Sequence, residues 1–134
     1  MNAVAVTGLG VVAPHGDEAQ VVFAAMLRGE SAIRPVFPEL PQPAAAALAP
    51  FDAARWFTKL QLAGVDRVSQ LAVAAADIAM RDAGAAGDVD PERIGVYVGC
   101  GMGGAAALEA AYRGGARVPP LTIPATCRMR RPRM

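Results

Sequence analysis

The chain opens on a short apolar run, Ala3 to Thr7, which Gly8-Leu9-Gly10 brings to an end. A valine-rich run of this length, bounded by glycine, predicts a buried strand leading into a turn, with Val11 and Val12 able to extend it. Pro14 and Gly16 then break the backbone, and Asp17 stands where it can cap a helix. Val21, Val22, Ala25 and Met26 recur at helical spacing as far as Arg28, and Gly29 supplies a stop. From Ser31 to Pro50 the periodicity is lost. Pro35, Pro38, Pro41, Pro43 and Pro50 exclude a regular helix or a central strand, so this stretch reads as a surface excursion.

The clearest element runs from Asp66 to Gly84. Val68, Leu71, Ala72, Ala75, Ile78, Ala79 and Ala83 fall at helical spacing, while Arg67, Asp77, Arg81 and Asp82 take other positions. Its many alanines predict close packing against a neighbour. Asp90 to Arg93 reads as a turn, Ile94 to Val98 as a second buried strand, and Gly99, Gly101, Gly103 and Gly104 as a glycine-rich bend. Ala105 to Arg113 returns to helix, Gly114-Gly115 ends it, and Pro119-Pro120 marks a further loop. Strands alternating with helices predict an α/β fold with a mainly parallel sheet and packed helices.

Composition narrows the picture. With 54% hydrophobic and 19% charged residues over 134 positions, the chain has the make-up of one ordered domain. Aromatics are only 5%, and alanine and valine bury little area each, so a domain built this way is marginal on its own. The formal net charge is +1, but Arg128, Arg130, Arg131 and Arg133 crowd the C-terminus, and without them the balance turns negative. The charge as a whole therefore points to no nucleic-acid partner, and the arginine tail has no aromatic residue for base stacking. The N-terminus has no basic leader region and its apolar run is broken, which reads as neither signal peptide nor membrane span. Two cysteines, Cys100 and Cys127, without a CxxC spacing suit a reducing compartment, and a cytoplasmic location is expected.

Three features carry candidate chemistry. Gly8-Leu9-Gly10-Val11-Val12-Ala13 matches the G-x-G-x-x-G/A dinucleotide fingerprint after a strand. Pro14 and Gly16 interrupt the helix that the fingerprint requires, and Glu30, near the distance expected of a ribose-binding acid, lies in a turn. The simpler reading is a strand end where glycine allows close packing. Cys100, between a strand and a helix, has the setting of a nucleophile elbow, but an activated thiol needs a base and His15 is the only histidine. A small residue tolerated among crowded glycines is the reading preferred. His15, in a Pro-His-Gly turn, reads as a solvated loop residue. With this inventory no zinc ligand set can be assembled and no cofactor is expected.

Taken together, three segments resemble the β-ketoacyl-ACP synthases, the KAS II-like ketosynthases of the thiolase-like superfamily. Val6-Thr7-Gly8-Leu9-Gly10-Val11-Val12-Ala13-Pro14-His15-Gly16 is similar to the family's opening V-T-G-x-G-x-x-[ST]-P-x-G, and Gly29-Glu30-Ser31-Ala32-Ile33 fits the loop after its first helix. Val65-Asp66-Arg67-Val68-Ser69-Gln70-Leu71-Ala72, continuing through Asp82-Ala83-Gly84, is the second segment. Asp90-Pro91-Glu92-Arg93-Ile94-Gly95-Val96-Tyr97-Val98-Gly99, followed by Gly101-Met102-Gly103-Gly104, is the third. Ala13 departs from the family's Ser or Thr, and Cys100 from its common Thr or Ser. The resemblance covers residues 2 to about 126 and implies the N-terminal fragment of a thiolase-like fold.

It also implies a chemistry. A cysteine takes an acyl chain from acyl carrier protein as a thioester, malonyl-ACP loses CO₂, and the carbanion attacks that thioester, assisted by two histidines and an oxyanion hole. These catalytic residues are expected C-terminal to the equivalent of residue 126, so no catalytic residue is assigned here. What the segment supplies is scaffold and, at Met102, one wall of the acyl pocket. The implied partners are acyl carrier protein and a second ketosynthase chain, as a homodimer or heterodimer. A non-catalytic subunit like the chain-length factors, and a dinucleotide-binding module using Gly8 to Ala13, are the alternatives.

The resemblance bears on the last residues too. The family continues after Ile123-Pro124 with a pattern like M-P-N-A-A-A-x-H-V, whereas this chain reads Cys127-Arg128-Met129-Arg130-Arg131-Pro132-Arg133-Met134. Permitted codons for that stretch, shifted by one base, encode Met-Pro-Asn-Ala-Ala-Ala-Ala-His. Lys59 is the single lysine among 13 basic residues, which suits the GC-rich codons this needs. The expectation is that residues 1–126 are the N-terminal part of a ketosynthase domain, and that 127–134 are a basic tail read out of frame after a one-base deletion near Thr126.

Overall fold

The computed structural model describes residues 3–48, 51–84 and 89–114. Its elements in order are helix α1 (Ala19–Leu27), strands β1 (Arg34–Pro35) and β2 (Ala44–Ala45), a 3-10 turn at Ala53–Arg55, helix α2 (Lys59–Leu62), helix α3 (Arg67–Ala83), a 3-10 turn at Pro91–Arg93 and helix α4 (Ala105–Arg113). They divide between two compact units. One comprises Met1–Asp52 with Ala75–Pro91, the other Ala53–Ala74 with Glu92–Met134.

The first unit is organised by a close approach between the Gly8–Gly10 segment and the C-terminal half of α3. A Cβ added at Gly8 would run into the carbonyl oxygen of Ala79 and lie 2.7 Å from the amide nitrogen of Ala83. At Gly10 it would run into the carbonyl oxygen of Ala75 and lie 2.7 Å from the amide of Ala79. Ala75, Ala79 and Ala83 recur every fourth residue, so they form one small-residue stripe along the helix. Between the two glycines, the Leu9 amide donates to Asp82 Oδ2 at 2.9 Å. The glycines are therefore where the backbone must touch a helix flank, in keeping with the simpler reading of their sequence.

The ends of α1 and α3 follow their sequence signals closely. Gly29 (φ +67°) and Gly84 (φ +66°) adopt the left-handed conformation just past α1 and α3, the usual glycine helix stop. The start of α1 departs from expectation. Its N-cap is Glu18, one residue beyond Asp17, and no side chain caps it. Helix α2 was not foreseen. It is set by a capping box, in which the Gln61 amide donates to Thr58 Oγ1 at 3.4 Å and the Thr58 amide donates to Gln61 Oε1 at 2.8 Å. Gln70 Nε2 donates to the Val65 carbonyl at 2.9 Å, tying the approach to α3 to its first turn.

The parallel sheet expected from Ala3–Thr7 and Ile94–Val98 is not formed among the described residues, whose only sheet is the antiparallel pair of β1 and β2. Arg34 faces Ala45 and Pro35 faces Ala44, with the Val36 amide donating to the Pro43 carbonyl at 2.9 Å. Proline is tolerated here because a two-stranded pair consists of edges only. Ala3–Thr7 and Ile94–Val98 join no ladder, and their side chains face solvent: Val4 is 92% and Tyr97 96% exposed. A strand is defined by its partner's hydrogen bonds, so an apolar run without a neighbour stays an isolated extended segment.

The buried apolar side chains among the described residues are small. Val22 and Ala25 serve the first unit; Ala53, Ala74 and Ala111 serve the second. Little area is removed from water by such residues, so stability leans on close backbone contacts. Gly10→Ala is expected to destabilise the chain by about 1–3 kcal/mol, because the methyl meets backbone that cannot swing aside. Gly99→Ala, where an added Cβ meets nothing within 4 Å, is expected to stay within about 0.5 kcal/mol. Paired urea titrations of the two variants check this.

Candidate functional site

The sequence singled out His15, the Gly8–Ala13 run, Cys100 and Met102, and the structure distributes them between the two units. His15 and the glycine run belong to the first; Cys100 and Met102 belong to the second.

His15 sits at the tip of a tight turn. Ala13 and Gly16 exchange both backbone hydrogen bonds at 2.9 Å, and Gly16 takes a positive φ of +137°. This holds the imidazole so that its Nε2 lies 2.9 Å from the Glu30 carbonyl oxygen. Glu30 is also paired through its carboxylate with the Arg28 guanidinium, which reaches it with both Nε and Nη2. Arg34 Nη1 donates to the carbonyls of Ser31 and Ile33 at 2.8 Å each. His15, Glu30 and Arg34 thus line an open cleft, with Pro14, Val36 and Leu48 as apolar neighbours. The polar groups here tie a loop together, and His15, read from sequence as a solvated loop residue, is half-buried in the turn with its Nε2 on the Glu30 carbonyl.

The Gly8–Ala13 run does not present a phosphate cradle. The fingerprint needs a helix to begin where the run ends, so that its N-terminal amides meet the pyrophosphate. Here the run lies along the side of α3, a tight turn comes next, and α1 begins only at Ala19.

Cys100 and Met102 lie in the bend before α4. Cys100 is a free, exposed thiol. Met102 is exposed as well, at 83%. The bend closes as the Ala105 amide donates to the Met102 carbonyl at 3.4 Å, and Gly104, buried at φ +80°, turns the chain into α4. A Cβ on Gly103 would stand 2.7 Å from Cys100 Sγ and 3.3 Å from Val68 Cγ1, so the bend lies close on the first turn of α3. Gly99 and Gly101 have open space around them.

Sequence reasoning placed Asp66 at the start of the long helical pattern but assigned it no role. Its Oδ2 accepts from the Val68 amide and from the Gly104 amide, each at 3.2 Å. The available signal was the aspartate immediately before a helical pattern, a common N-cap. Its second bond, to a residue far along the chain, left no trace in local sequence.

Comparison with known proteins places this chain in a class, the β-ketoacyl synthase N-terminal domains. The model of the β-ketoacyl synthase N-terminal domain matches residues 1–129, and the chain belongs to that family. That match runs into the segment expected to be out of frame, which lies outside the described residues, as do Gly115 and Pro119-Pro120. Among similar proteins are the 3-oxoacyl-[acyl-carrier-protein] synthase 2 of Rhizobium meliloti, 33% identical over 92% of this chain and 34% of that protein, and the oxytetracycline polyketide β-ketoacyl synthase 1 of Streptomyces rimosus, 40% identical over 81% of this chain and 27% of that protein. The solved ishigamide ketosynthase/chain length factor superposes with a TM-score of 0.68 at 26% identity, covering 91% of this chain and 33% of that one. A β-ketoacyl synthase from Burkholderia phymatum gives the same TM-score and identity over 90% of this chain. The chain thus spans between about a quarter and a third of the length of the relatives it matches. No described helix is long and apolar enough to cross a membrane.

The hydrogen bond from Arg28, and then its charge, hold the Glu30 carboxyl below its ordinary value. Any stability this pair adds is present above the ordinary carboxylate pKa and lost as pH falls through the lowered one. Both side chains are more than half exposed, so the effect is local. Arg28→Ala is expected to raise the Glu30 titration midpoint, read by carboxyl NMR, while leaving the thermal midpoint of the chain unchanged.

Proposed function

We propose that this chain is the N-terminal part of a β-ketoacyl-ACP synthase of fatty acid or polyketide biosynthesis, working in the cytoplasm on acyl groups carried by acyl carrier protein. The observation that carries the reading is the match to the synthase N-terminal domain over residues 1–129. In the complete enzyme a cysteine thiolate takes the acyl group as a thioester. Malonyl-ACP then releases CO₂, and its carbanion attacks that thioester and frees the thiolate. The cysteine and the two assisting histidines belong to the remainder of the fold, so this segment contributes scaffold. Its part in the site is Met102, whose exposed side chain forms one wall of the acyl pocket. The complete form works as a homodimer or as a ketosynthase heterodimer.

The likeness to a ketosynthase/chain length factor supports a second reading, in which the complete form is the non-catalytic member of such a pair. The two differ at the nucleophile position, where a cysteine marks the synthase and another residue marks the partner. We also infer that residues 127–134 are read out of frame. Sequencing the gene across Thr126 decides the frame, and reading the full frame downstream to the nucleophile position decides between synthase and partner. An intact frame there, with no ketosynthase-like reading downstream, overturns the inference.

The 134-residue chain alone is expected to release no CO₂ from malonyl-ACP, and measurable release by the purified chain would refute the reading of it as scaffold. In a synthase carrying this segment in complete frame, Met102→Trp is expected to lower kcat/KM for long acyl chains at least tenfold more than for short ones, because the ring fills the pocket wall. A chain-length profile unchanged by the substitution would remove Met102 from the pocket.

A further inference from the structure

Asp66 joins two helix starts with one oxygen. Its bond to the Val68 amide is an ordinary N-cap contact: an aspartate just before α3 accepts from an amide in the first turn. Its bond to the Gly104 amide is of another kind, because Gly104 is the N-cap residue of α4. In a capping box the amide of the N-cap is satisfied by a Glu or Gln three positions on. In α4 that position is Ala107, which has no acceptor, and no side chain caps the helix. Asp66, just before α3, supplies what α4 lacks. Its carboxylate also stands at the positive end of both helices, where negative charge is favoured.

The contact fixes more than a helix end. Gly104 is buried and held in the left-handed region, so its amide direction sets how the bend enters α4. The Met102 carbonyl is bonded to Ala105, the next residue, and Gly103 lies close on Val68. Asp66 and Val68 therefore grip the bend from one turn of α3, and the backbone that carries Met102 is placed by that grip. We propose that Asp66 is a positioning residue: its carboxylate locks the Gly99–Gly104 bend to the first turn of α3 and sets where Met102 is presented. The consequence for acyl selection rests on the reading of Met102 as a pocket wall; the tether itself does not.

The test uses the 134-residue chain and amide NMR. Asp66→Ala is expected to speed hydrogen exchange at Gly104 and Val68 about tenfold, the effect of losing a charge-assisted bond, and to move the Gly104 amide proton upfield. Asp66→Asn keeps an oxygen acceptor without the charge. It is expected to restore most of the protection while leaving the proton shift only partly recovered. Amides of α1, in the other unit, are expected to exchange as before. Unchanged protection at Gly104 in Asp66→Ala overturns the proposal. So does an equal acceleration in α1, which would mean general destabilisation in place of a local lock. These readouts involve no acyl group, so they decide the tether independently of the chain-length profile of Met102→Trp.

Discussion

The first unit depends on backbone meeting backbone at the distance only glycine permits. Gly8 and Gly10 bring an extended segment against the carbonyls of Ala75 and Ala79, and Asp82 fastens the Leu9 amide between them. A methyl group on either glycine would separate the two surfaces. A larger residue in place of Ala75, Ala79 or Ala83 would do the same from the helix side. The composition that looked weak for a core, rich in alanine and poor in aromatics, is what this kind of contact requires. Each contact is small, and their number along one helix face provides the cohesion.

The second unit solves a different problem, how to hold a glycine-rich bend in one shape. Such a bend has high conformational freedom and few side chains to anchor it. Asp66 provides an anchor from outside the bend, the left-handed Gly104 gives the turn, and Val68 gives it a surface to lie on. Met102 is left facing outward on a defined backbone. The valine-rich segments Ala3–Thr7 and Ile94–Val98 lie in solvent in the same chain, in a family whose matched members are about three times as long. Apolar runs with free backbone groups suit a fold in which further strands lie alongside them.

How far the chain was legible varies by element. The span of α3 comes directly from apolar spacing, that of α4 from the glycines on either side of it, and glycine marks the ends of α1 and α3. These are local properties, written within a few residues of where they act. The capping box at Thr58 was equally local and went unread, because its helix is a single turn with no apolar stripe to draw attention to it. The two-residue pairing of β1 with β2 has almost no period to detect, and Pro35 argues against it. The strands were read from composition that favours a sheet, but a sheet needs neighbours, and composition does not supply them.

Sequence alone settled the long helix α3, the glycine stops after α1 and α3 and the family, because each rests on residue types at short fixed spacing or on the order of motifs along the chain. Only the tertiary structure showed that Gly8 and Gly10 press on α3 instead of facing a phosphate, and that Asp66 reaches Gly104 as well as Val68. Both are contacts between residues far apart in sequence. Their geometry is set by how the chain comes back on itself, and no local pattern of residues encodes the direction in which an amide or a carboxylate finally points.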